Sequence, residues 1–187
     1  MNEIVTAMKK IKSRNEIPGF LSHWNLNDII AEVGVQFGYN MESLLRCDPR
    51  LAMAVDHWNN QKEQSALDDI YLGVVRRFIN RQNVRIIRAT STQAAQLMPD
   101  GSLDFVYIDA QHSYHPCLKD ITAWWPLVRQ GGIIAGHDYI NVEVNGKTYG
   151  VIKAVKEFMT TNNIDSEMLH HTEYGARTWM LYKVGYE

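Results

Sequence analysis

Residues 103–139 read LDFVYIDAQHSYHPCLKDITAWWPLVRQGGIIAGHDY. Two apolar runs, 103–108 and 132–135, each stop abruptly at residues that can do chemistry. The first ends in Asp109, with His112 three positions on. The second ends in His137 and Asp138. Between them, from Pro116 to the Pro126–Gly132 exit, the pattern is helical. Strand, helix, strand in that order predicts two parallel strands joined by a right-handed crossover. Their carboxyl ends then share one edge of the sheet, the edge at which open α/β sheets bind ligands. Asp109, His112, His137 and Asp138 are therefore expected to converge.

The pattern repeats on both sides of this unit. Residues 28–35 (DIIAEVGV), 51–55 (LAMAV) and 84–87 read as buried strands. Residues 39–46, 66–80, 90–97 and 150–159 read as helices. Pro99-Asp100-Gly101 is a turn. Residues 164–171 and 177–184, separated by Glu173-Tyr174-Gly175, predict a terminal antiparallel pair. At the other end, Ile4, Met8 and Ile11 predict an amphipathic helix over 3–13, broken by Ile17-Pro18-Gly19. The fold class is α/β, with a mostly parallel sheet between two layers of helices. With 187 residues and no linker, residues 1–187 are expected to form a single domain.

Bulk properties narrow the partners. A net charge of −2 gives no electrostatic reason to expect nucleic acid. No apolar run approaches the length of a membrane span, and the N-terminus lacks an apolar signal core. Cys47 and Cys117 form neither a metal-binding spacing nor a disulfide framework, which fits a reducing compartment. A cytoplasmic protein is expected, and a homo-oligomer is compatible with the sequence.

Three further motifs sit at predicted strand ends. Glu32-x-Gly34-x-x-x-Gly38 spans a strand-to-helix junction, where glycine permits close backbone approach and the helix start offers free N–H groups. A pyrophosphate would gain nothing from Glu32, whereas a ligand bearing an amine or sulfonium would; a tight turn explains the glycines equally well. Asp56 follows Gly34 by twenty-two residues, close to the spacing at which a carboxylate accepts from ribose hydroxyls. Its rival role is a helix cap. Ala89-Thr90-Ser91-Thr92-Gln93 follows the third strand; Thr90 or Ser91 suits an N-cap, which leaves room for a contact to an adenine edge. For the central cluster, carboxylates suit hard divalent ions and imidazole shifts preference toward Mn, Fe, Ni or Zn. The alternative is two capping aspartates and a hydrogen-bonded buried histidine. Trp124-Trp125 reads as helix core and edge, His57-Trp58 as pocket lining, and His115 as loop.

Together these motifs resemble class I S-adenosylmethionine-dependent methyltransferases. Glu32–Gly38 is similar to the family's first motif and Asp56 to its ribose-binding acid. More narrowly, DFVYIDAQHSY with WWPLVRQGGIIAGHDY resembles the small-molecule O-methyltransferases that include macrocin-type and cephalosporin-biosynthesis relatives. The resemblance covers about residues 28–160. It implies a Rossmann-like three-layer sandwich, a seven-stranded sheet and a C-terminal antiparallel hairpin. It also implies S-adenosylmethionine as cofactor and a small-molecule hydroxyl, sugar or glycoside, as acceptor. Glu32 and Gly34, with Gly38, would serve the methionine portion, Asp56 the ribose, and Ser91 with Thr92 the adenine edge. A divalent metal would sit on Asp109, His137 and Asp138, and His112 would be the base. Asp109 would border cofactor, metal and reacting centre alike. His137 departs from the family, whose magnesium-dependent members carry a carboxylate there. The acceptor's cover would come from residues 1–27, the 139–149 loop or a second subunit. Two other readings are a non-catalytic cofactor-binding protein and a metal-dependent hydrolase on a similar sheet.

Overall fold

The computed structural model describes residues 2–59, 63–144, 146–173 and 177–185. Parallel strands β1 (Ile29–Val33), β2 (Leu51–Asp56), β3 (Val84–Arg88), β4 (Leu103–Ile108) and β5 (Val128–Gly136) are joined by antiparallel β8 (Leu169–His171) and β9 (Trp179–Tyr182). The order across the sheet is β3-β2-β1-β4-β5-β9-β8. The strand order reverses between β1 and β4, so the ligand crevice belongs there. The terminal antiparallel pair is as expected; Tyr174 and Gly175 of its connecting segment lie outside the described residues.

Every residue of β4 is buried, as are four of five in β1. That is the signature of strands covered on both faces. Alternate side chains feed two cores. Ile30, Ala52, Ala54, Phe105 and Tyr107 pack with helices α1 (Glu3–Met8), α2 (Ile17–His23), α3 (Tyr39–Leu44) and α4 (Gln64–Phe78). Ala31, Val33, Val55, Val106 and Ile108 pack with α5 (Ser91–Ala95), α6 (Tyr114–Trp124) and α7 (Val151–Thr161). Trp124 is fully buried and Trp125 packs edge-on against Phe158, so the tandem tryptophans are core and rim.

Four sequence expectations change. The N-terminal helix stops at Met8, and Ser13 caps a short 3-10 turn at Arg14–Glu16. Ile17-Pro18-Gly19 then starts α2 instead of ending a helix. Pro18 occupies the first turn, where a missing N–H costs nothing. The 139–149 loop contains an antiparallel hairpin, β6 (Asn141–Val144) and β7 (Lys147–Gly150). His115 lies inside α6, not in a loop.

One ion pair ties three strands at the edge remote from the crevice. Buried Asp104 of β4 accepts from the Ile29 N–H of β1 at 2.8 Å and from Arg129 Nε of β5 at 2.5 Å. Asp104→Ala would strand a buried N–H and leave a half-exposed guanidinium unpaired. Urea unfolding should show a loss of about 2–3 kcal/mol, with Arg129→Met costing less.

Candidate functional site

A cavity of about 940 Å³ opens at the carboxyl ends of β1, β2, β3 and β4. It is lined by all the site residues predicted from sequence except Gly38, His137 and Asp138. Of these three, His137 and Asp138 contact its wall through Asp109 and His112. Gly38 instead N-caps α3 in a left-handed conformation (φ 84°), against Phe78.

Gly34 lines the cavity and also brings two loops together. Its φ is +90°, and a Cβ there would lie 2.2 Å from the Asp109 carbonyl oxygen. The glycine lets two strand-end loops touch, backbone to backbone. Asp109 N–H donates to the Val33 carbonyl, and Gly34 N–H to the Val55 carbonyl. The β1, β2 and β4 exits are thus laced together. Three of the six non-glycine residues with left-handed backbone among the described residues, Gln36, Trp58 and Asp138, stand at this same edge. Such strain collects at functional sites.

Glu32 points to the α1–α4 face at the end of β1, opposite Tyr107. It is 1% exposed. One oxygen accepts from Asn40 Nδ2 of α3 at 2.9 Å, and the other, Oε2, has no hydrogen-bond partner. Burial pushes the carboxyl up to about 8, against the pull of Asn40. Arg14, from the 3-10 turn, also lines the cavity, and its charge acts favourably on both Glu32 and Asp109. Neither Asn40 nor Arg14 was read from sequence. Asn40 lies two residues beyond Gly38, in the first turn of α3, and Arg14 depends on how the N-terminal segment folds back.

Asp56 sits at the end of β2, where Oδ2 accepts from Gln36 N–H at 2.9 Å and Oδ1 from Trp58 N–H at 3.0 Å. Asp56 does not cap the next helix, whose N-cap is Glu63. The carboxylate shapes its own loop, and it borders the cavity. Thr90 N-caps α5 in a full capping box with Gln93. Ser91 and Thr92 line the cavity, but the Ser91 hydroxyl is engaged. It accepts from Trp124 Nε1 at 2.9 Å, and its dipole favours the charged form of Asp120. Asp120 of α6 is the buried polar wall residue that sequence reasoning missed. Its helical periodicity hides it among core positions.

The four residues of the decisive segment do converge. The register places Ile108 beside Gly136, which sets Asp109 next to His137. His137 Nδ1 lies 3.6 Å from Asp109 Oδ1 and 3.2 Å from Asp138 Oδ1. His112 Nε2 lies 3.7 Å from Asp109 Oδ1 and 3.6 Å from Asp138 Oδ2. Burial raises the Asp109 carboxyl, opposed first by His137 and then by His112. Donor atoms of Asp109, His112 and His137 all fall within 4.8 Å of one another, so His112 stands among the ligand-capable groups as well as in the base position. Tyr149, delivered by the β6–β7 hairpin, stacks on the His112 ring at 5.7 Å and 14°. The Gly150 N–H donates to the His112 carbonyl at 2.8 Å. The signal for this hairpin was present as Asn145-Gly146 beside alternating Val142 and Val144.

The Glu32 value carries a linkage. The folded protein keeps that proton up to about pH 8, whereas the unfolded chain releases it near the usual 4.5. Unfolding between those values therefore releases a proton, and stability falls as pH rises from 4.5 to 8. Comparing chemical unfolding of the protein with Glu32→Gln across pH 4–9 should show the slope diminished in the variant. The accumulated difference should be roughly 5 kcal/mol.

Comparison with known proteins places this edge in context. Residues 31–139 match the model of a methyltransferase domain, more than half of the chain. A curated protein of Sinorhizobium fredii, uncharacterized protein y4gI, is 28% identical over 133 residues. That match covers 65% of this chain and 14% of the relative's length. The fold is similar to the O-methyltransferase TomG of Streptomyces achromogenes, involved in tomaymycin synthesis and solved with S-adenosylmethionine. The identity is 13%, the TM-score is 0.64, and 98% of this chain and 91% of that one are covered. It is also similar to an O-methyltransferase of Bacillus cereus solved with S-adenosylhomocysteine, at 16% identity and a TM-score of 0.60, covering 97% and 88%. With the family's matched segment running from β1 through the His137-Asp138 pair, the chain belongs to the methyltransferase-domain family, among the class I S-adenosylmethionine-dependent methyltransferases its motifs resemble.

Proposed function

We propose that the protein transfers a methyl group to a hydroxyl of a small molecule, a sugar or glycoside being the class its motifs resemble. The observation that carries the reading is Glu32 Oε2, a buried carboxylate oxygen without a partner on the wall of a cavity at the sheet's switch point. A buried acceptor left open costs stability unless a ligand donor meets it. The α-ammonium of S-adenosylmethionine is such a donor, so the residues present fit that cofactor. Bound there, it supplies a methyl group already activated on a sulfonium sulfur.

The chain's own residues do the rest. Glu32 takes the ammonium. Asp56, fixed by two backbone N–H groups, keeps lone pairs for the ribose hydroxyls. Gly34 holds the Asp109 loop against the cofactor loop. His112 accepts the proton of the acceptor hydroxyl, and Asp109 and Asp138, both within 3.7 Å, stabilise the imidazolium that results. Tyr149 keeps the His112 ring in place from above. Arg14 on the cavity wall supports residues 1–27 as part of the cover of a single domain spanning 1–187. No helix among the described residues is long and apolar enough to cross a membrane, and we assign the protein to the cytoplasm.

A divalent ion would be held by Asp109, His137 and Asp138, the set the motifs imply; the donor atoms that lie within 4.8 Å of one another are those of Asp109, His112 and His137. Such an ion would acidify the acceptor hydroxyl. The His137 imidazole among the ligand atoms favours Mn, Ni or Zn over strongly hydrated Mg.

Titration calorimetry with S-adenosylhomocysteine tests the cofactor site. The protein should bind it saturably, and Asp56→Ala should weaken binding by about 1–3 kcal/mol through lost charge-assisted hydrogen bonds. Equal binding by both proteins, or by neither, removes the cofactor assignment. His112→Gln should leave that affinity unchanged and lower turnover by about 10²–10⁴ once an acceptor is found by methyl-transfer screening.

For the metal, ions titrated one by one into chelator-treated protein should bind in the order Mn, Ni or Zn ahead of Mg. His137→Asp should move the preference toward Mg, and Asp109→Ala should abolish metal binding while S-adenosylhomocysteine still binds. Absence of saturable binding by any ion would discard the metal centre.

A further inference from the structure

The cavity holds positive charge that neither the fold nor the cofactor uses up. Two permanent cations line it, Arg14 and Lys119. Neither side chain makes an ion pair or a hydrogen bond among the described residues. The cofactor's carboxylate, on the same carbon as the ammonium that Glu32 takes, can answer Arg14. Lys119 then remains. Asp120 follows it in sequence, but that carboxylate is buried while the lysine is exposed, and no ion pair joins the two.

Lys119 does not stand alone. His115 precedes it by four residues in α6, so the two share one face of the helix. Both line the cavity and both are exposed. The His115 ring rests against Tyr114, with centroids 4.6 Å apart, and makes no side-chain hydrogen bond among the described residues. His115 follows the base His112 by three residues and Lys119 follows it by seven. The face therefore runs outward from the reacting centre, with His115 and Lys119 roughly 5 and 10 Å along it. A lysine on the outside of a helix is most often a solvated charge. This one borders the cavity beside a second unspent donor, on the element that begins just after the base.

Resting on the methyl-transfer reading above, we propose that the acceptor is an acidic sugar, whose anionic group is bound by Lys119 with His115 while a ring hydroxyl faces His112. A spacing of one to two helical turns suits a hydroxyl and an acidic substituent on opposite sides of one pyranose ring. Lysine supplies a compact charge with three donors, and the imidazole adds a ring N–H. Phosphate and carboxylate both satisfy such a pair. A neutral sugar leaves it unanswered.

The test uses the full chain saturated with S-adenosylhomocysteine and probes that share one ring: glucose, glucose 6-phosphate and glucuronate. The galactose set, galactose, galactose 6-phosphate and galacturonate, repeats the comparison with different stereochemistry. In titration calorimetry at least one acidic sugar should bind about tenfold more tightly than its neutral counterpart, and which acid does so names the anion. Lys119→Gln should remove most of that preference, and His115→Gln should remove part of it. Lys119→Glu should make the acidic sugars the weaker ligands. Circular dichroism and unchanged affinity for S-adenosylhomocysteine check that the variants are folded. Equal binding of acidic and neutral sugars, no binding of any acid, or a preference that survives Lys119→Gln overturns the acidic acceptor while the cofactor site stands. Failure of the unmodified protein to bind S-adenosylhomocysteine overturns the cofactor reading itself, and this inference with it.

Discussion

A Cβ at residue 34 would stand 2.2 Å from the carbonyl oxygen of Asp109, and the whole site depends on its absence. The β1 and β4 exits are adjacent because the sheet reverses its strand order between them. Only a glycine at the first lets the backbone of the second pass at contact distance. That contact sets how far Asp109 lies from Glu32 on one side and from His137 on the other. Move the loops apart and two things are lost together: the Asp109 position beside the imidazoles and the backbone hydrogen bond from Asp109 to Val33. The glycine motif of the sequence is therefore a statement about two loops packing. Ligand approach is a consequence of that packing.

This explains which parts could be read in advance. Strand order, sheet edge and the convergence of Asp109, His112, His137 and Asp138 follow from alternation of apolar runs and from the handedness of crossovers, both local in sequence. Asn40, Arg14 and Asp120 were not legible. Each is a polar residue in an ordinary helical position, and its importance comes from which void it borders. A void belongs to no single segment. The β6–β7 hairpin is intermediate. Asn-Gly at 145–146 with Val142 and Val144 before it is a hairpin signal, but Lys147-Thr148-Tyr149-Gly150 after it lacks the matching apolar alternation. Pro18 was misread for a different reason. Proline stops a helix from within and starts one from its first turn, and sequence alone did not say which side of the boundary it held.

The electrostatic pattern gives the cavity its character. Glu32, Asp109 and Asp120 are all raised by burial, and all three border the same space. Packing alone gives no reason to place three desolvated carboxyls around one hollow, since each costs stability in the empty protein. Their partners differ, however. Asp109 has imidazoles, Asp120 has the dipole of the Ser91 hydroxyl, and Glu32 has an amide on one oxygen and nothing on the other. The acceptor wall therefore presents graded demands for donors, from the strongest at Glu32 to a partly answered one at Asp120. Arg14 faces Glu32 and Asp109 from the N-terminal segment and moderates the accumulated negative potential.

His112 is the point where the two halves of the site constrain each other. Its carbonyl is fixed by the Gly150 N–H, and its ring is covered by Tyr149. A Cβ on Gly150 would lie 2.7 Å from the Tyr114 Cβ, so the end of β7 must pass as glycine to reach this contact. The hairpin and the start of α6 are thereby locked face to face, and the imidazole between them has little freedom to turn. A ring so held can serve as a base only toward an acceptor entering along the Asp109–Asp138 side, since the opposite face is closed by tyrosine. The geometry thus links acceptor entry to the hairpin: changes in β6 and β7 should alter which acceptors reach His112, whereas the cofactor wall from Glu32 to Asp120 would be left as it is.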